Sequence, residues 1–228
     1  MFFYNDPLFV LVILIFILSL VVQSRLKKTF KKWSQVPAQI NKTAADVAHD
    51  ILTRAGLSSM PIKSVAGNLT DHYNPINRTL NLSEDVYNST SVAAIGIAAH
   101  EAGHAIQHKT SFLPLVLRNG IYPLANISST LAYPIFIIGF FFGFNHFLMQ
   151  LAIYLFLFAT AFTIITLPVE FDASNRAKKI LYHQGYLTKR EMGGVNSVLN
   201  TAAMTYVMAA LSALVNLIRM ILLSNSRD

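Results

Sequence analysis

Residues 124–167 read LANISSTLAYPIFIIGFFFGFNHFLMQLAIYLFLFATAFTIITL. Two apolar runs, 124–144 and 148–167, are separated only by Asn145, His146 and Phe147. Each run is close to the ~20 residues an α-helix needs to cross a bilayer core, and so short a connection makes the pair a transmembrane hairpin. The whole composition fits that reading. The chain is 54% hydrophobic and only 13% charged, about half the ~25% charge of soluble domains.

Two further runs extend the pattern. Residues 7–22, PLFVLVILIFILSLVV, are apolar apart from Ser19. Asp6 precedes them, and Arg25, Lys27, Lys28, Lys31 and Lys32 follow. A signal peptide carries its positive charge before the apolar core, so this order describes an uncleaved anchor with its N-terminus outside. Residues 202–223 form a fourth run, with Arg219 near its end, where a long side chain can snorkel to the interface. Four spans place residues 23–123 and 168–201 in the cytoplasm. Those segments hold 16 of the 18 Lys and Arg residues, leaving only Arg219 and Arg227 elsewhere. This positive-inside bias accounts for the net charge of +7 without nucleic acid. Six Asn-x-Ser/Thr triplets begin at Asn41, Asn68, Asn77, Asn81, Asn88 and Asn126; the same orientation argues against their being glycosylation sites. The expected organisation is an anchor (1–22), a cytoplasmic domain (23–123), the hairpin (124–167), a second cytoplasmic segment (168–201) and a last span with its tail (202–228).

The first cytoplasmic segment has soluble composition. Thr43 is placed to cap a helix through ADVAHDILTRA, and Gly56 to end it. Residues 60–83 alternate around Asn74, Pro75 and Asn77, which predicts a small antiparallel hairpin. A second helix is expected from about Ser89–Ser91 to Lys109. The predicted fold is therefore mainly α, with a small α+β domain on about four membrane helices.

That second helix carries His100-Glu101-Ala102-Gly103-His104. Two His four apart stand on one helix face about a turn apart, so both reach one zinc ion; Glu101 beside them is placed as general base. The neighbours Ala98, Ala99, Ala102, Gly103, Ala105 and Ile106 are small or apolar. An amphipathic helix alone does not explain a carboxylate and two imidazoles on such a stretch, because burying them without a partner is costly. With no cysteine in the chain, any metal must use His, Asp or Glu, and His with carboxylate favours zinc, expected at one ion per chain.

A catalytic zinc site takes three protein ligands. His108 lies eight residues beyond His100, roughly 12 Å along a straight helix, too far to share the ion, so a capping or supporting place is expected for it. Glu170, in LPVEFDASNRAKKI, is the expected third ligand. It stands where the third span meets the cytoplasm, where a carboxylate is functional by default. Pro168 suits the first turn of a new helix. Glu170, Ala173, Ser174 and Ala177 would share a face that approaches the HEAGH helix closely, with Asp172, Arg176 and Lys179 on another. His72 is a candidate for substrate binding, and His183 and Tyr206 for stabilising an oxyanion. His49 and His146 read as surface residues. The strand near 78–83 is a candidate edge for an extended substrate.

The runs LTDHYNP, LNLSEDVY, AAHEAGHAIQH, LPVEFDAS and TAAMTYV resemble the YugP-like neutral zinc metallopeptidases of bacterial membranes, in the same order and over nearly the whole chain. The resemblance implies a membrane-bound zincin acting on protein or peptide, with Glu101 as base and His100 and His104 as ligands. A more distant likeness to the HtpX and CAAX prenyl protease group supports Glu170 by analogy. In that group an Asp four residues after the Glu orients a ligand His; here that place is Ser174, and Asp172 is the nearby acid. Two other readings compete. A site-two-type intramembrane protease places H-E-x-x-H inside a span and uses a later Asp-Gly, a pair this chain lacks. A non-enzymatic membrane scaffold with a structural metal would have no use for Glu101.

Overall fold

The computed structural model describes residues 8–143 and 145–225. Asp6 and Pro7 before the first span, Phe144 at the end of the second and Arg227 in the tail lie outside the described residues. The chain is mainly helical. Among the described residues, four helices are long and apolar enough to cross a membrane: α1 (Phe9–Ser34), α5 (Leu113–Phe141), α6 (His146–His183) and α7 (Lys189–Asn225).

These helices outrun the apolar segments that define them. Helix α1 continues through the basic cluster to Ser34, and α5 begins at Leu113 and includes Pro123 and Pro134. The expected helix start at Pro168 is corrected, because Pro168 lies inside α6. Proline removes one backbone donor and crowds the preceding turn, but a helix leaving a membrane tolerates this when its neighbours supply the lost support.

The described chain forms two compact units. One comprises residues 1–22, 117–167 and 205–228. Here α5 and α6 pack through Ala132, Phe136, Met149, Ala152 and Phe156, with Leu217 and Met220 of α7 joining them. The outward side chains are apolar too: Val10 is 76% exposed and Phe16 62%, a surface that water would penalise and lipid would not. Asn145 starts α6 by accepting from the Leu148 backbone N–H through its side chain (3.1 Å).

The other unit comprises residues 23–116 and 168–204. Helix α2 (Ala44–Arg54) begins at the expected cap. Thr43 Oγ1 accepts from Asp46 N–H and the Asp46 carboxylate accepts from Thr43 N–H, a reciprocal capping box. Gly56 follows its end at φ +69°, the left-handed conformation glycine adopts most cheaply. Val47, Ala48, Ile51 and Leu52 are fully or nearly fully buried against α4 (Val92–Lys109), where each larger side chain contributes about 1.5–3 kcal/mol. Ser91 caps α4 by accepting from Ala94 N–H (3.2 Å).

Between these helices lies a three-stranded sheet in the order β1-β3-β2. Strand β2 (His72–Asn74) and β3 (Thr79–Ser83) form the expected antiparallel pair, Tyr73 opposite Leu80. Asn74 Oδ1 turns the chain by accepting from Ile76 and Asn77 N–H. Strand β1 (Ile62–Val65) adds a parallel pairing to β3, Ile62 opposite Leu80. The strand near 78–83 is therefore central, and its two sides are already paired; the substrate-edge expectation for it is corrected. A one-turn helix, α3 (Glu84–Tyr87), links β3 toward α4.

Candidate active site

Helix α4 is buried over most of its length, Glu101, His104 and Gln107 included. Its burial depends on one close approach. A Cβ placed on Gly103 would lie 2.9 Å from the backbone oxygen of Ala173, so only glycine lets α4 meet α6 here. Ala173, Ser174 and Ala177 on α6 are buried as well. The small face that follows Glu170 is thus the face against the motif helix.

This contact brings three side chains together. Glu170 Oε2 lies 3.4 Å from His100 Nε2 and 3.6 Å from His104 Nε2. One ligand atom from each residue lies within 4.8 Å of the other two. Glu170 is only 3% exposed and His104 7%.

Hydrogen bonds behind the cluster fix the rings. Gln107 Nε2 donates to Val169 O and to Asp172 Oδ2, both at 2.8 Å. Both partners only accept, so the Gln107 oxygen must face His104 Nδ1, 2.9 Å away. His104 Nδ1 therefore carries a proton, so that Nε2 is the nitrogen left to bind a cation or a second proton opposite Glu170. His100 Nδ1 meets the Ser174 hydroxyl at 3.1 Å. Arg176 in turn pairs with Asp172.

The donor set fits a cation. An imidazole lone pair and a carboxylate oxygen this close repel each other unless positive charge stands between them. Without metal, protons take that place. Burial disfavours the His104 imidazolium, but Glu170, Glu101 and Gln107 outweigh it and raise the pKa above the ordinary histidine value. Burial likewise pushes the Glu170 carboxyl up, and the two imidazoles overcome it, holding the group well below the usual carboxylate range. Two histidine nitrogens and one carboxylate oxygen are a zinc-type ligand set with room for a further ligand.

Glu101 faces a different neighbour. Its Oε2 accepts from the Tyr73 backbone N–H on β2 at 2.9 Å. Strand β2 is held at that height by Asp71, which accepts from the Ser83 N–H and hydroxyl. Burial raises the Asp71 carboxyl despite those bonds, with the Glu101 charge adding to the rise.

The remaining candidates are dispersed. His108 Nδ1 meets the Tyr73 hydroxyl at 2.7 Å. His72 is exposed, with its ring nitrogens at Thr70 O and the Asn81 amide. His183 ends α6 in an exposed position against Tyr182. Tyr206 belongs to α7 in the other unit. Asp172 and Ser174 both touch the cluster, by the routes given above. Sequence reasoning missed Gln107 and Tyr73. Gln107 is a polar residue three beyond His104 on a small, apolar helix, and that spacing was the available signal. The Tyr73 contact uses the backbone, which no side-chain pattern announces.

Comparison with known proteins gives the family. A family described as "Putative neutral zinc metallopeptidase" matches residues 8–225, and the chain belongs to that family. It is 45% identical over 212 residues to "Putative membrane protease YugP" of Bacillus subtilis (strain 168), covering 92% of this chain and 94% of the relative. No solved structure matches. Among the described residues, α4 is not one of the four helices long and apolar enough to cross a membrane.

Proposed function

We propose that this protein is a membrane-bound, zincin-like metallopeptidase that hydrolyses peptide bonds on the cytoplasmic side of a bacterial cell membrane. The convergence of His100, His104 and Glu170 carries the reading. These three residues would hold one zinc ion. A bound zinc supplies Lewis acidity toward a peptide carbonyl and toward water.

The protein's own groups do the rest. Glu101 takes the proton from the attacking water and delivers it to the leaving amine. The Tyr73 N–H occupies one Glu101 oxygen and leaves the other to carry that proton. Gln107 and Ser174 keep the His104 and His100 rings in the ligating orientation, with Asp172 behind Gln107. The charge pattern supports residues 23–123 and 168–201 as the cytoplasmic parts, with substrate drawn from proteins at or near the membrane.

The test measures bound zinc in wild type beside His104→Ala, Glu170→Ala and Glu101→Gln, with casein cleavage alongside. The expected result is about one zinc in wild type, loss of zinc in the first two variants, and zinc without cleavage in Glu101→Gln. A Glu170→Ala variant that keeps its zinc would remove Glu170 from the ligand set. A wild type that binds no metal would end the peptidase reading in favour of a scaffold.

A further inference from the structure

A cleft of about 420 Å³ opens between the end of α2, strand β2 and the last turns of α4. Leu57, Met60, Tyr73, Arg78, His108 and Lys109 line it. Its position ties it to the proposed chemistry. Glu101, Ala105 and His108 follow at intervals of four and three and share one face of α4. Tyr73 bridges the two ends of that face, its backbone N–H on Glu101 and its hydroxyl on His108. From Glu101 to His108 is about 10 Å of helix, the reach of about three residues of extended peptide.

The lining also has a definite polarity. Leu57, Met60 and Ala105 supply apolar surface, while Arg78, Lys109 and His108 supply cationic or ionisable nitrogen, and among the described residues the lining contains no carboxylate. Lys109 caps α2 by donating to Ala55 O and Gly56 O. Arg78 is exposed, at the left-handed position (φ +49°) of the turn between β2 and β3. Its guanidinium suits two-point binding of a carboxylate better than any other side chain.

We propose that this cleft selects an acidic residue of a peptide substrate about three residues from the scissile bond, with Arg78 as the specificity-determining cation. This rests on the peptidase reading. A long acidic side chain lays its methylene stem on Leu57 and Met60 and its carboxylate toward Arg78. An anionic lipid headgroup would share the charge, but the cleft lies along the face of the general base, where a substrate chain must pass.

The experiment digests a proteome-derived peptide library with the zinc-loaded full chain in neutral detergent and maps the cut sites by mass spectrometry. Wild type, Arg78→Glu and Arg78→Lys are compared, with zinc content measured for each. Wild type should enrich Asp and Glu up to about fivefold at one position two to four residues from the cut, the scale of a partly exposed ion pair. Arg78→Glu should abolish or reverse that enrichment with zinc content unchanged, and Arg78→Lys should keep part of it. Cleavage without acidic preference, or the same preference in Arg78→Glu, overturns the inference and leaves the peptidase reading intact. Arg78-dependent binding to phosphatidylglycerol micelles, with no acidic preference in cleavage, overturns it in favour of a lipid site. A zinc-loaded wild type that cuts no peptide ends both.

Discussion

At the residue scale, the division of labour around the ligand cluster makes distinct failures expected. Glu101→Gln should hold zinc like wild type while its turnover falls by about 10²–10⁴, the usual contribution of a positioned general base; zinc content and casein hydrolysis measured on one preparation check this. Gln107→Leu should fail differently. It removes the acceptor for His104 Nδ1 and frees the ring to flip or change tautomer. Zinc affinity should fall about 10–100-fold, as for other supporting residues of metal sites, read by competition against a chromophoric chelator. The Asp of the HtpX group has no counterpart four residues after Glu170; Ser174 stands there and meets His100, while Asp172 reaches His104 through Gln107. His100, Glu101, His104 and Glu170 were all legible in the sequence, because each is a rare polar group on an apolar stretch. Gln107 was only half legible: its spacing from His104 could be read, but Val169 O and Asp172, which orient its amide, come from α6.

At the element scale, the helix ends were legible where local chemistry fixes them. Thr43 and Ser91 start α2 and α4 through their own side chains. The parallel pairing of β1 with β3 was not, since it joins segments with a third strand between them, and local turn signals cannot report it. Helix α7 shows an unused local signal, Thr188-x-x-Glu191. The Glu191 carboxylate accepts from Thr188 N–H (2.7 Å) and Thr188 Oγ1 (2.6 Å), and from Gln39 N–H (2.7 Å) on a distant segment. Burial would raise this carboxyl, but the three bonds outweigh it and lower its pKa below the ordinary value. Its contribution is therefore complete above the ordinary carboxylate pKa and is lost as pH falls through that value toward the lower folded one. Glu191→Ala should cost about 1–2 kcal/mol near neutral pH and flatten the acid limb of stability, measured by urea unfolding in detergent from pH 7 down to 3. Gly103→Val tests the helix contact itself. The added carbons meet the Ala173 backbone, so α4 and α6 must separate. A loss of about 1–3 kcal/mol should accompany weaker zinc binding.

At the scale of the whole molecule, orientation is the property to measure. The chain contains no cysteine, so single cysteines report without background. Lys42→Cys should resist a membrane-impermeant maleimide in intact cells and react after lysis, whereas His146→Cys, at the first residue of α6, should react at once. The reverse pattern would place the candidate site outside the cell and defeat the positive-inside argument. Membrane helices were the most legible part of this chain, because hydrophobic length decides them. Their continuation well past the apolar runs, as in α6 through Pro168 and Glu170, was hidden, because polar helix and polar loop look alike in composition.

The division of the ligands between α4 and α6 also sets a schedule. Glu170 is added to the growing chain 66 residues after His104, and the α5–α6 hairpin comes between them. At roughly 5–20 residues per second, a ribosome spends about 3–13 seconds in that interval. Until it ends, the nascent polypeptide carries His100, Glu101 and His104 without Glu170. On the proposed reading the ion site is then incomplete while the unfolded segments and the insertion machinery lie within reach, and it is completed only once most of the apolar helices have been made.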